Sequence, residues 1–209
     1  MKNSELFEDM QSGKSFCFVG DSITYGSVTG GIPWYEHLKP YIKGEIMEYA
    51  CGGWTSRDIY YGKKEIPTAD IYVIAIGIND ILLDDETICA ADEEEYIDNL
   101  DKLSESLKDR SPNAKFYFIT PWIFLDFPAE YYERSNRFSD ALKDWCNNKD
   151  RICIDPNPFI ESAIKEDGQE RYMFNSFHPN AHRGVGLFSY AVLDAEHQRR
   201  LQSHPLSSS

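Results

Sequence analysis

Apolar residues fall along this chain in short continuous runs, and each run ends in glycine, proline or a small polar group. Phe16-Cys17-Phe18-Val19 leads into Gly20-Asp21-Ser22, and Glu45 to Tyr49 leads into Ala50-Cys51-Gly52-Gly53-Trp54. Asp70 to Ile76, the most continuous run, leads into Gly77-Ile78-Asn79-Asp80. Lys115 to Thr120 ends at Pro121-Trp122, and Arg151 to Ile154 ends at Asp155-Pro156. Runs of this length and character predict five strands covered on both faces, as in a parallel sheet.

The spacing changes to a helical period between them. Trp34 to Ile42, around Pro40, Arg57 to Ile66 and Tyr131 to Cys146 read as helices, and Pro158 to Lys165 as a short one. From Asp92 to Leu107, Tyr96, Ile97, Leu100, Leu103 and Leu107 keep one face, and the acidic residues from Asp92 to Glu95 suit a first helical turn. Gly186 to Leu201 predicts a last helix packed back on the sheet. Strands alternating with helices point to an α/β fold with helices on both faces. Residues 1–14 read as a polar lead-in and 203–209 as a disordered tail, which leaves one domain over 1–202.

The 209 residues are 42% hydrophobic and 14% aromatic, enough for a substantial core. The net charge of −14 repels phosphate backbones and anionic lipid, so neither nucleic acid nor membrane is an expected partner. Met1 to Gly13 has no apolar stretch of signal-peptide type, and no run approaches the ~18 apolar residues of a membrane span. Five cysteines, odd in number and without Cys-x-x-Cys spacing, read as buried thiols in a reducing compartment. A cytoplasmic location follows as the expectation.

Chemistry concentrates at the strand ends, where open parallel sheets bind ligands. Ser22 stands after the first strand, Gly53 after the second and Asn79 after the third, while His178 sits in the late loop Asn175-Ser176-Phe177-His178-Pro179-Asn180. A serine becomes nucleophilic when a base takes its proton, and histidine does this near neutral pH. The oxyanion formed in acyl transfer needs fixed donors, for which the Ser22 and Gly53 N–H groups and the Asn79 amide are candidates. His178 and His182 have metal-like spacing, but Pro179 interrupts a helix between them and no Cys or carboxylate cluster joins them; no metal or cofactor is expected.

The four blocks Gly20-Asp21-Ser22, Gly53, Gly77-x-Asn79-Asp80 and His178-Pro179-Asn180, in this order, resemble those of the SGNH (GDSL-like) hydrolase family. The resemblance implies a flavodoxin-like three-layer α/β/α sandwich with a five-stranded parallel sheet, metal-independent ester hydrolysis and a shallow site. It places Ser22 at the nucleophile, Ser22, Gly53 and Asn79 at the oxyanion donors, and His178 at the base. The expected substrate is a small O-acyl ester, with an acetylated carbohydrate among the candidates. Asp21, Trp54, Asp80, Trp122 and Phe177 are the candidate substrate-binding residues, and Tyr25 and Phe124 also flank the inferred site.

One position departs from the family pattern: Asn175 stands where an aspartate usually orients the histidine. Three readings are open. A Ser22-His178 dyad is oriented by another group, with Asp21 and Asp155 as substitute carboxylates; Asn175 is an inactivating change; or the domain binds a carbohydrate or acyl group without turnover. An acyltransferase of the same fold is a further alternative, and the oligomeric state is open.

Overall fold

Side-by-side pairing of the five apolar runs forms the centre of the molecule. The computed structural model describes residues 4–62, 65–82, 91–149 and 151–203. Strands β1 (Phe16–Gly20), β2 (Ile46–Ala50), β3 (Ile71–Ala75), β4 (Lys115–Ile119) and β5 (Ile152–Ile154) form one sheet in the order β2-β1-β3-β4-β5. Every pairing is parallel. This is the flavodoxin-like strand order expected above. All five positions of β1 and of β3 are buried, which accounts for their lack of alternation.

Two groups of helices cover the sheet. On one side α3 (Ser56–Tyr61) packs on α5 (Glu93–Arg110), and α5 packs on α6 (Ala129–Asn148). On the other, α8 (Gly184–Ser203) packs against α1 (Glu5–Met10), α7 (Asn157–Asp167) and the 3₁₀ turn Glu36–Tyr41. The strand pleat sorts the side chains between these layers. Phe18 stacks on Tyr35 at 3.7 Å beside the 3₁₀ turn, and Tyr117, in register with Phe18 through Val73, donates to Asp9 of α1 at 2.7 Å. Phe118, one residue on, meets Trp145 of α6 edge-on at 4.9 Å. Among the described residues no helix is long and apolar enough to cross a membrane.

Several expectations change. The polar lead-in contains a helix, α1, because Ser4 caps it by accepting from Phe7 N at 3.2 Å and because Leu6 and Met10 are fully buried. The helix expected over Trp34 to Ile42 is a 3₁₀ turn with Pro40 inside it, since proline has no N–H for an α-helical bond. The helix expected to reach Ile66 ends at Tyr61. Two short helices follow strand ends directly, α2 (Ser22–Tyr25) and α4 (Ile78–Leu82). Of the expected tail, Ser203 ends α8 and residues 204–209 lie outside the described residues. Cys17 and Cys146 are buried free thiols as expected, whereas the free thiol Cys153 is half-buried and Cys51 is exposed because it starts the turn after β2; Cys89 lies outside the described residues.

The first strand-end turn depends on Gly20. A Cβ there would lie 2.2 Å from Thr24 Oγ1 and 2.4 Å from the Ala75 carbonyl oxygen of the neighbouring strand. Gly20→Ala therefore is expected to cost about 1–3 kcal/mol of stability, as overpacking of a rigid site does. A thermal melt followed by circular dichroism checks this, and an unchanged midpoint contradicts it.

Candidate functional site

Asp21 turns the chain out of β1. It is the N-cap of α2, its Oδ1 accepting from Ile23 N at 2.9 Å, and this fixes the next residue, Ser22, at the sheet's carboxyl edge. His178 arrives from the opposite end of the sequence. Asn180 holds the loop: its N–H donates to the Tyr172 carbonyl at 2.8 Å and its Nδ2 to the Arg171 carbonyl at 3.0 Å. Its Oδ1 accepts from the N–H groups of His182, Arg183 and Gly184, which anchors the start of α8. Ser22 Oγ and His178 Nε2 meet at 2.8 Å, both side chains buried.

The turn after β2 abuts the serine, since a Cβ on Gly52 would lie 4.0 Å from Ser22 Cβ. Gly53 is exposed with φ +80°, a conformation glycine adopts without penalty. Asn79, at the start of α4, donates from Nδ2 to the Trp54 carbonyl at 2.8 Å and so links the second and third strand ends. Beneath them Asp80 is fully buried and accepts from Ser56 N at 3.0 Å and Ser56 Oγ at 2.6 Å, with Asn99 Nδ2 donating to the same hydroxyl at 3.1 Å. The structure thus brings Ser22, Gly53, Asn79 and His178 to one edge.

Burial controls the charges. It lowers His178 to about 4, so the imidazole is neutral at pH 7. Burial likewise raises Asp21 to about 7 and Asp80 to about 6, opposed by the hydrogen bonds each accepts. Asp21 Oδ2 has no hydrogen-bond partner among the described residues.

Some candidate residues have other roles than expected. Asp21 and Asp80 are completely buried and brace turns, so neither presents a surface to substrate. Trp122 is 1% exposed, packed between Trp34 and Phe188 at 5.5 and 4.8 Å, because β4 carries it into the core. Asp155 is engaged by Lys143 at 2.6 Å and by Thr120 at 3.0 Å, and Asp21 by its own turn; neither is hydrogen-bonded to His178 in place of an orienting carboxylate. Trp54 and Phe177 are half-buried at the site's rim, and the Phe177 ring lies 4.3 Å from the imidazole. Tyr25 is half exposed, and Phe124 is buried behind Phe177. The sequence reading assigned no role to Ser56, Asn99 or the capping by Asn180; the Asn at the start of a helical run was the available signal for the last.

Asn175 does contact the histidine. Its Oδ1 accepts from Phe177 N at 3.1 Å and His178 N at 2.8 Å, and His178 Nδ1 lies 3.1 Å from Asn175 Nδ2 and 3.2 Å from Oδ1. Among the described residues no group of three or more His, Cys, Asp or Glu side chains is arranged to hold a metal ion.

Residues 18–182 match the model of the GDSL-like lipase/acylhydrolase family. The chain belongs to this family. Solved structures that resemble this GDSL-like chain include Axe2, an acetylxylan esterase from Geobacillus stearothermophilus, at 19% identity and a TM-score of 0.75, covering 90% of this chain and 96% of that one. A member of the lipolytic protein G-D-S-L family from Veillonella parvula aligns at 21% identity and a TM-score of 0.69, covering 86% and 96%. LAE5, an α/β hydrolase enzyme from the metagenome of Lake Arreo, aligns at 20% identity and a TM-score of 0.70, covering 88% and 95%. No curated protein matches the chain. At these identities the structural likeness is one of fold, and it agrees with the family assignment.

A buried neutral histidine makes a testable statement about protonation. The His178 ring should titrate near pH 4 in an NMR pH series, far below the ordinary 6.5. Because the folded state holds this ring with the depressed value, its contribution to stability is complete above pH 6.5 and is lost as pH falls toward 4. Asp21 and Asp80, shifted upward, act in the opposite direction, so the comparison is made against His178→Gln. The variant's melting temperature should fall less than the parent's between those pH values, and an equal fall refutes the assignment.

Proposed function

We propose that this GDSL-like hydrolase is a serine esterase for small O-acyl esters, with an acetylated carbohydrate as the natural class of substrate. The observation that carries the reading is the 2.8 Å bond between Ser22 Oγ and a buried, neutral His178. Ser22 Oγ attacks the ester carbonyl while His178 Nε2 takes its proton. The C–O bond to the alcohol then breaks, and the same proton passes to the departing oxygen. Water, deprotonated by His178, attacks the acyl-enzyme, and the acid leaves as the proton returns to Ser22. The Ser22 and Gly53 N–H groups, with the Asn79 amide swung from the Trp54 carbonyl, supply the oxyanion donors; loss of one such donor costs about 10²–10³ in rate. The acetylxylan esterase fold neighbour supports the acetyl-sugar reading by analogy.

Asn175 favours a second reading, a silenced or slow site. With Asn175 Oδ1 held by two backbone N–H groups, Nδ2 is the group offered to His178 Nδ1 at 3.1 Å. A donor at Nδ1 leaves the ring proton on Nε2, where it faces Ser22 and cannot accept. The competing 3.2 Å contact to Oδ1 holds the productive tautomer. An aspartate would keep both backbone bonds on one oxygen and offer the other to Nδ1–H.

Hydrolysis of p-nitrophenyl acetate separates the two. Turnover by the parent that vanishes in Ser22→Ala is the outcome expected of the esterase. A kcat that rises in Asn175→Asp by ~10² or more, up to the ~10⁴ that the amide costs in serine proteases, is the outcome expected of the silenced or slow site. If the parent and Asn175→Asp are both inert, the esterase reading fails and a binding site remains.

A further inference from the structure

Beside the imidazole, the chain places an aromatic wall. Phe177 lies against His178, and its ring is 6.3 Å from Phe127, which is 5.1 Å from Tyr131. Phe124, fully buried, backs both phenylalanines at 6.1 and 5.3 Å. Phe127, Tyr131 and Phe177 are each only half-buried. The wall joins the loop after β4 and the first turn of α6 to the loop that carries His178, and Leu125 N donating to the Ser176 carbonyl at 2.8 Å ties the two loops together. Between Leu125 and Phe127, Asp126 has φ 57°, the only non-glycine residue with positive φ among those described. Such outliers persist where the surrounding structure holds a shape.

Chemistry decides which half of an ester meets this wall. A histidine serving as base must hand its proton to the departing oxygen, so the alcohol half lies on the imidazole side of the reacting carbon. We infer that Phe127 and Phe177, with Tyr131 beside them, bind the alcohol half of the ester, and that this half carries a ring with an apolar face. The inference rests on the esterase reading and adds the specificity surface to it. Flat rings recognise flat or puckered rings through their faces, whether aryl or pyranose, whereas a short alkyl alcohol covers too little of them. The acyl half points away from the wall, so chain length on the acyl side is read elsewhere.

The test uses primary-alcohol esters with comparable leaving groups: ethyl acetate, benzyl acetate and methyl 6-O-acetyl-glucopyranoside, with ethyl butyrate to vary the acyl side. Each is measured on the parent and on Asn175→Asp, with and without Phe127→Ala, and with Phe127→Leu in case truncation harms folding. The ring-bearing acetates should be preferred over ethyl acetate by about tenfold in kcat/KM, through KM, and Phe127→Ala should remove most of that ratio. A preference for the benzyl or for the sugar ester identifies the ring. A ratio near one, a ratio unaffected by both variants, or a variant that instead changes the butyrate-to-acetate ratio overturns the inference. If no ester is hydrolysed, saturation-transfer NMR of Ser22→Ala with benzyl alcohol and methyl β-xylopyranoside decides separately. Ring contacts that disappear in Phe127→Ala sustain the wall while the esterase reading fails; no ring contact in the parent overturns the wall as well.

Discussion

Parallel register is the constraint on which the site depends. Gly20 pairs with both Ala50 and Ala75, Ala75 pairs with Ile119, and Ile119 with Ile154, so all five strands stop in one row. Each chain segment leaves that row in the same direction. Ser22, Gly53 and Asn79 therefore come to one edge although the sequence spreads them over almost sixty positions. His178 joins them through a loop that the Asn180 cap ties to the start of α8 and that Leu125 N holds at the Ser176 carbonyl.

Beneath the site the charges are arranged by burial rather than by pairing. Asp21 and Asp80 lie wholly inside the protein and are spent on capping α2 and on holding Ser56. The turn at Ser22 is thereby fixed by a local hydrogen bond, and the segment after Gly53 by bonds from Ser56 to Asp80 across to the end of the third strand. His178 is desolvated with no carboxylate of the described residues against it, which keeps the ring neutral but gives an imidazolium no counter-charge. That is the energetic meaning of Asn175. It keeps the geometry of an orienting residue and removes the charge.

In the proposed esterase the same loop carries both chemistry and specificity. Asn175, Phe177 and His178 lie within four positions, so the hydrogen bond that sets the ring tautomer and the aromatic contact that shapes the alcohol side are mechanically linked. The bond from Leu125 to Ser176 extends that link to the loop after β4.

The sequence by itself determined the strands, the alternation that makes the sheet parallel, and the four blocks, three at strand ends and one in the late loop. Continuous burial leaves a continuous apolar run, and strand ends need glycine or small polar residues, so both leave local marks. It also exposed the Asn175 departure, which is a matter of residue identity. Helix α1 escaped because it is only six residues long, with Leu6 and Met10 fully buried and Phe7 partly so, and the 3₁₀ turn at Pro40 because hydrophobic spacing does not report a missing N–H. Only the tertiary structure decided that Trp122, Asp21 and Asp80 face the interior, since an aromatic or acidic residue after a strand reads alike whether it points at solvent or at the core. It alone set the 2.8 Å contact between Ser22 and His178 and the joining of Phe127 to Phe177. Those contacts form between segments distant in sequence, and no local pattern encodes the distance across which they meet.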